Sequence, residues 1–245
     1  MRDYQEELKN RIRFLREVLE NSGAKGFVYG NSGGKDSVLV GILCSMVTDN
    51  VLGVMMPCQS KRNFEEDMQD AMAVAEQYHI DTITVDLSDV KTSICTQMEK
   101  AVEITDTAKS NIAPRLRMTT LYAIAQSRGA LVAGTGNRSE AYMGYFTKWG
   151  DGAYDVNPIS DLTVGEIYEF LEFLKAPENI IQKAPSAGLF EGQTDEAEMG
   201  VKYSQIDEYI LHGTGDKQAI RKITAVHSRT EHKRGLPLVY KRVAD

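Results

Sequence analysis

The residues whose types and spacing could do chemistry begin at Gly30-Asn31-Ser32-Gly33-Gly34-Lys35-Asp36-Ser37. This run follows a short β-type stretch, Gly26-Phe27-Val28-Tyr29, and opens an apolar, helix-patterned stretch from Val38 to Val47. A strand, a glycine-rich turn and a helix N-terminus together make an anion site. The first backbone N–H groups of the helix lack intrahelical partners, and its dipole favours negative charge there. Gly33 and Gly34 allow the sharp bend and the close approach to a phosphate, while Ser32 and Ser37 add hydroxyl donors. Asp36 is the odd member, a carboxylate that repels a phosphate unless a hard cation such as Mg²⁺ stands between them. The spacing is not that of the GxxxxGK[ST] loop: Gly34-Lys35 is followed by Asp36, and Tyr29 stands where the first Gly is required.

A second constellation, Gly134-Thr135-Gly136-Asn137-Arg138-Ser139-Glu140, follows the apolar run Ala130 to Ala133. Asn137 with Glu140 three residues on is the pattern of a helix capping box, which by itself accounts for the pair. What comes next is harder to explain as scaffold. Gly144-Tyr145-Phe146-Thr147-Lys148-Trp149-Gly150-Asp151-Gly152 is rich in glycine and aromatics, and Asp155 and Pro158 precede a new helix. Such a stretch makes a poor core element and a good ligand-contacting loop.

The elements that must position these residues can be read from periodicity. Leu8, Ile12, Leu15 and Leu19 mark a helix over Tyr4 to Leu19, with Gly23 as its C-cap. Val51 to Met56 reads as a buried strand closed by Pro57, and Asn63 to Tyr78 as a helix with Phe64, Met68, Ala71, Met72 and Ala75 on one face. Thr82 to Val85 is β-rich, Ser88 is placed to cap the next helix, and Asn111 to Ser127 is helical with Pro114 tolerated in its first turn. Short apolar strands alternating with helices predict an α/β fold, a doubly wound, mostly parallel sheet with helices on both faces. Ligands in such sheets gather at the carboxyl ends of the strands. The informative loops are therefore those after Tyr29, Met56, Val85 and Ala133.

The 245 residues show no linker, repeat or low-complexity tract, so a single domain over 1–245 is expected: an N-terminal helix (1–22), a core (25–175) and a C-terminal helical and loop segment (176–245). A net charge of −7 argues against a nucleic-acid-coating surface, so bound phosphates must be met by placed cations. Cys44, Cys58 and Cys95 are too few and too scattered for a disulfide framework or a zinc site. No stretch approaches membrane-spanning length, the N-terminus is not that of a signal peptide, and the expected location is the cytoplasm.

SGGKDS resembles the pyrophosphate loop of the N-type ATP pyrophosphatases. Further motifs follow in order: Arg115-x-Arg117-Met118, GTGNRSE, GYFTKWGDG, Asp155-Val156-Asn157-Pro158, PSAGL at Pro185 to Leu189, GQTDE at Gly192 to Glu196 and His232-Lys233-Arg234. Together they resemble the ammonia-dependent NAD synthetases, from about residue 25 to 240. The resemblance implies an adenine nucleotide alpha hydrolase-like fold and ATP-dependent amidation of deamido-NAD. In that reaction the nicotinate carboxylate attacks the α-phosphate, pyrophosphate leaves, and ammonia displaces AMP. No nucleophilic side chain is required.

The same resemblance implies that Gly30, Asn31, Ser32, Gly33, Gly34, Lys35, Asp36, Ser37, Thr135 and Ser186 bind ATP. It implies that Arg115, Phe146, Lys148, Asp155, His232 and Lys233 bind deamido-NAD, and that Asp36 and Glu140 hold Mg²⁺. It also implies a homodimer. Lys148 is otherwise a solvated loop lysine and His232 to Arg234 a surface charge run. The chain departs from the family at Val164, where a Lys that contacts ATP is usual; Lys35, where an apolar residue is common, is placed to compensate. On this reading Val164→Lys improves the use of ATP, and the loop 184–194 is a lid ordered by ATP. A glutamine-dependent version needs a further domain with a nucleophilic Cys, so glutamine would enter only through a separate glutaminase partner. The alternatives are another pyrophosphate-loop adenylating enzyme, such as a thiolase, and a nucleotide binder that has lost turnover.

Overall fold

The computed structural model describes residues 2–58, 66–182 and 195–240. Its centre is a parallel four-stranded sheet of β1 (Phe27–Gly30), β2 (Val51–Met55), β3 (Asp81–Thr84) and β4 (Leu131–Ala133), in the order β3-β2-β1-β4. Register is set by Phe27 opposite both Val51 and Leu131, with Leu52 opposite Asp81. The chain steps outward from β1 to β3 and then returns to the far side of β1. The strand order therefore reverses between β1 and β4, which is where an open parallel sheet forms a ligand crevice.

Alternation along β1 assigns the faces. Phe27 and Tyr29 pack into one apolar cluster with Leu15, Leu39, Ile42, Ile167 and Phe170, while Val28 packs into another with Val54, Met118, Leu121 and Val132. Helices α1 (Tyr4–Ser22), α2 (Lys35–Ser45), α3 (Glu66–Gln77) and α8 (Val164–Phe173) supply the first face. The second is supplied by α6 (Ile112–Arg128), with α4 (Ser88–Glu99) and the short α5 (Asp106–Ser110) nearby in sequence. A third cluster joins α7 (Arg138–Met143) and Val164 to the C-terminal helices α11 (Tyr203–His212) and α12 (Lys217–Arg229), and includes Met199 of α10 (Asp195–Met199). The short α9 (Glu178–Ile181) and α13 (Glu231–Arg234) complete the described elements.

The expected helices and strands are present within a few residues. Gly23 ends α1 in the left-handed region at φ 69°, and Pro114 sits in the first turn of α6. Helix α2 starts at Lys35, three residues before its apolar pattern, so the glycine turn feeds straight into it. Ser88 is not the cap expected of it. It is the first residue of α4, and its N–H donates to Asp86 Oδ1 at 2.9 Å. The expected helix at Asn63 begins, among the described residues, at Glu66. Ser186 and the loop 184–194 lie outside the described residues. Among those described, no helix is long and apolar enough to cross a membrane.

Asp3 caps α1 by accepting from the N–H groups of Gln5 and Glu6 at 3.1 and 3.2 Å. Asp3→Ala is expected to lower stability by about 1 kcal/mol, read as a shift in urea midpoint at unchanged m-value.

Candidate active site

The first loop is folded by its own glycines and serines. Gly33 has φ 71°, a left-handed conformation that favours glycine. Gly34 N–H and Ser37 Oγ both engage Ser32 Oγ, at 3.3 and 3.1 Å, and Ser37 Oγ also donates to Gly34 O at 2.9 Å. Asn31 is buried behind the loop, donating from Nδ2 to Ala71 O, while its Oδ1 has no partner among the described residues. These contacts leave the turn between β1 and α2 rigid, with the N-terminus of α2 at the sheet's carboxyl edge.

Asn137 joins the two constellations. Its Oδ1 accepts from Glu140 N–H at 2.9 Å and Glu140 Oε2 accepts from Asn137 N–H at 3.1 Å, completing the capping box of α7. Its Nδ2 donates to Asp36 Oδ1 at 3.1 Å. The pair is thus both a cap and a bridge across the β1–β4 crevice. The other oxygen of Asp36 receives Lys35 Nζ at 2.5 Å, and Lys35 is only 6% exposed.

Burial and the Asp36 carboxylate push the Glu140 carboxyl from its ordinary 4.5 up to about 8, with Lys35 and the Asn137 N–H pulling the other way. Burial opposes the Lys35 ammonium, yet Asp36 and Glu140 outweigh it and hold its pKa above the ordinary lysine value. In metal-free protein a proton on Glu140 has a definite consequence for stability. Between pH about 4.5 and about 8 the folded state retains a proton that the unfolded chain has released, so stability falls as pH rises through that window. The stability of Glu140→Gln relative to wild type, measured by urea melts in a chelator from pH 5 to 8.5, is expected to rise steadily, because the amide mimics the protonated carboxyl and does not titrate, and to level off above pH 8. A difference independent of pH would contradict this.

The donor set fits a hard divalent cation: carboxylate oxygens on two rigid elements, with excess negative charge between them. Among the described residues no group of three or more His, Cys, Asp or Glu is placed to hold a metal. Asp36 and Glu140 can therefore supply only part of an octahedral shell, leaving positions for phosphate oxygens and water.

The remaining residues form a second group. Lys148 Nζ donates to the carbonyls of His232 and Gly235 at 2.6 and 3.2 Å, and Lys233 Nζ donates to those of Gly144 and Phe146, both at 2.8 Å. The two lysines cross-brace the 144–152 loop and α13. Lys233 also lies over the Phe146 ring, 5.5 Å from its centroid. Burial lowers the Lys233 pKa; Asp151 opposes that shift and Arg115 adds to it. Arg115 itself is exposed on α6, as is the side chain of His232. Asp155 is engaged in the scaffold, accepting from Val132 N–H at 2.8 Å and from Tyr122 OH at 3.2 Å. Thr135 lies on the loop after β4, two residues before Asn137.

Asp207 and Tyr203, which carry no local sequence signal, complete the surroundings of the two constellations. Ser139 Oγ donates to Asp207 Oδ1 at 2.5 Å and accepts from Val164 N–H at 3.2 Å, while Gly165 N–H donates to Asp207 Oδ2 at 2.8 Å. With Thr163 capping Glu166 N–H, the first turn of α8 is fully satisfied and offers nothing to an anion. Tyr203 OH donates to Asp195 at 3.0 Å, both groups buried, and its ring lies 6.0 Å from Lys35 Nζ. Val164 is 4% exposed in the same apolar cluster as Tyr203. A lysine at 164 must therefore enter packed apolar surroundings, so Val164→Lys carries a burial cost against its expected gain in the use of ATP.

A family model described as NAD synthase matches residues 7–237. The chain belongs to the NAD synthase family. The NH(3)-dependent NAD(+) synthetase of Carboxydothermus hydrogenoformans is 42% identical over 240 residues, covering 97% of this chain and 98% of the relative. The structure of an NH3-dependent NAD synthetase from Campylobacter jejuni superposes with TM-score 0.81 at 28% identity, covering 98% and 100% of the two chains. That of an NMN synthetase from Francisella tularensis gives TM-score 0.93 at 35% identity, covering 99% and 100%. The β1–β4 crevice with its SGGKDS loop thus belongs to a NAD synthase fold along almost its whole length.

Proposed function

We propose that the chain is a ligase that amidates deamido-NAD to NAD with ammonia, at the expense of ATP, releasing AMP and pyrophosphate. The observation that carries this reading is Asn137 holding the SGGKDS carboxylate against the Glu140 helix at the strand-order reversal. The N–H groups and hydroxyls of Gly30 to Ser37, with Thr135, receive the phosphates of ATP. Asp36 and Glu140 would hold Mg²⁺, which when bound would supply charge neutralisation for pyrophosphate.

The reaction needs alignment rather than a protein nucleophile. An oxygen of the nicotinate carboxylate forms a bond to the α-phosphorus as the bond from that phosphorus to the β-bridging oxygen breaks. Ammonia nitrogen then bonds to the acyl carbon, AMP leaves with the electron pair of the carbon–oxygen bond, and the nitrogen sheds a proton. Arg115, Phe146, Lys148, Asp155, His232 and Lys233 form the acceptor side. Because both lysines and Asp155 already brace backbone, they act chiefly by shaping the 144–152 loop for the acceptor. The working unit is a homodimer in the cytoplasm, as the family resemblance suggests.

The Francisella tularensis neighbour supports a second reading, in which the acceptor is the mononucleotide of nicotinate and the product is NMN. Both readings share the adenylation and amide-forming steps. The deciding experiment supplies ATP, Mg²⁺ and ammonium with either deamido-NAD or nicotinate mononucleotide, and follows AMP, pyrophosphate and the amide product. Equal amounts of AMP, pyrophosphate and NAD support the first reading; a larger kcat/KM for the mononucleotide supports the second. Pyrophosphate release that depends on neither acceptor would overturn both.

A further inference from the structure

Lys35 occupies a place that the phosphate chemistry does not by itself explain. Its ammonium is buried against Asp36 Oδ2 at 2.5 Å, within electrostatic reach of Glu140, and lies 6.0 Å from the Tyr203 ring centroid. Asp36 Oδ1 is meanwhile taken by Asn137. Both oxygens of one proposed metal ligand are thus engaged, one of them by a cation. A divalent ion that uses Oδ2 must displace the ammonium or share the oxygen with a like charge a few ångströms away, which the low-dielectric setting makes unfavourable. The four-carbon stem of a lysine gives the ammonium other positions to reach.

We propose that Lys35 is a resident counter-ion of the Asp36–Glu140 pair, which yields Asp36 to the divalent cation on loading and moves its own ammonium onto the phosphates of ATP. The inference rests on the metal and ATP reading above. It gives the ammonium two successive partners of the same sign: protein carboxylates before loading and phosphate oxygens after it. The buried pair then never faces the crevice without a cation. The position also explains how Val164 can be apolar, because Lys35 lies over Tyr203, which packs in the same cluster as Val164. The cation approaches the crevice from the loop rather than from the start of α8.

The test uses Mn²⁺ as probe, its binding to nucleotide-free protein followed by electron paramagnetic resonance. Lys35→Met is expected to bind Mn²⁺ about tenfold more tightly than wild type, because the competing charge is gone. In the presence of saturating Mg²⁺, the same variant is expected to bind ATP about tenfold more weakly. Mn²⁺ affinity equal to or lower than wild type in Lys35→Met overturns the proposal, as does unchanged ATP affinity. Asp36→Asn separates this failure from that of the underlying reading. If Asp36→Asn abolishes Mn²⁺ binding while Lys35→Met leaves it unchanged, the metal site stands and only the counter-ion role falls; if Asp36→Asn leaves binding unchanged, both fall. Should Lys35→Met not fold, Lys35→Gln keeps a donor for Asp36 and is read in its place with the same expectations.

Discussion

Asp36→Asn is expected to lower kcat/KM for ATP by about a thousandfold, or about 4 kcal/mol of transition-state stabilisation, with the fold intact. The substitution is nearly isosteric. An Asn oxygen still accepts from Asn137 Nδ2, the contact now made by Oδ1 at 3.1 Å, so the bridge between the two constellations survives. What changes is charge and donor sense. The amide nitrogen faces Lys35 Nζ, a donor against a donor, where a carboxylate oxygen now sits at 2.5 Å. On the proposed reading the cation that accompanies the leaving pyrophosphate loses one of the two carboxylates assigned to it, and an amide oxygen is a much weaker ligand for a hard ion. Pyrophosphate release under saturating ammonium and acceptor is the measurement, with circular dichroism as the control for folding. Activity within tenfold of wild type would remove Asp36 from the reaction.

Asp207→Ala is expected to destabilise the protein by about 3 kcal/mol, the usual range for stranding buried partners of a carboxylate. Asp207 is 8% exposed and accepts from Ser139 and from the Gly165 N–H at the start of α8. Burial raises its pKa, while Ser139 and the Gly165 N–H oppose that shift, so the ionised form depends on those partners. Removing it leaves a buried hydroxyl and a helix-start N–H without their acceptor, and opens space between α7, α8 and α11. Asp207→Asn keeps one acceptor and should cost about half as much. Urea unfolding of both variants checks the order; equal losses would mean that packing, not hydrogen bonding, holds the junction. Ser139 lies between Asn137 and Glu140, so the alanine variant should also loosen the capping box and weaken the binding of Mn²⁺.

Much of this was legible in the sequence because it is local. The glycine turn, the alternation of short apolar strands with amphipathic helices, and the Asn137–Glu140 spacing each announce themselves within a few residues. The strand-order reversal that brings Asp36 to Asn137 was reachable only through the parallel-sheet rule, since 101 positions separate the two residues. Asp207 was not legible at all: an acid in an amphipathic helix looks like a solvated one until α8 is laid against it. Lys148, Lys233 and Asp155, ligand contacts by resemblance, also hold scaffold: the lysines bind backbone carbonyls and Asp155 accepts from Val132 N–H and Tyr122 OH, which spacing alone does not reveal. Val164 is the converse case, where a family departure read as a lost contact proves to be part of an apolar cluster.

The pairing of β4 with the segment after the 144–152 loop has a further consequence. Ala133 forms a parallel bridge with Val156, Gly134 N–H donates to Val156 O at 2.7 Å, and the Asp155 carboxylate takes the Val132 N–H. A three-residue border strand would otherwise present free backbone groups as a template for another chain. Here they are capped by residues that directly follow the 144–152 loop, so Asp155 protects against edge-to-edge self-association. Its loss should show first as concentration-dependent aggregation during expression and storage, even in preparations whose folded fraction still turns over.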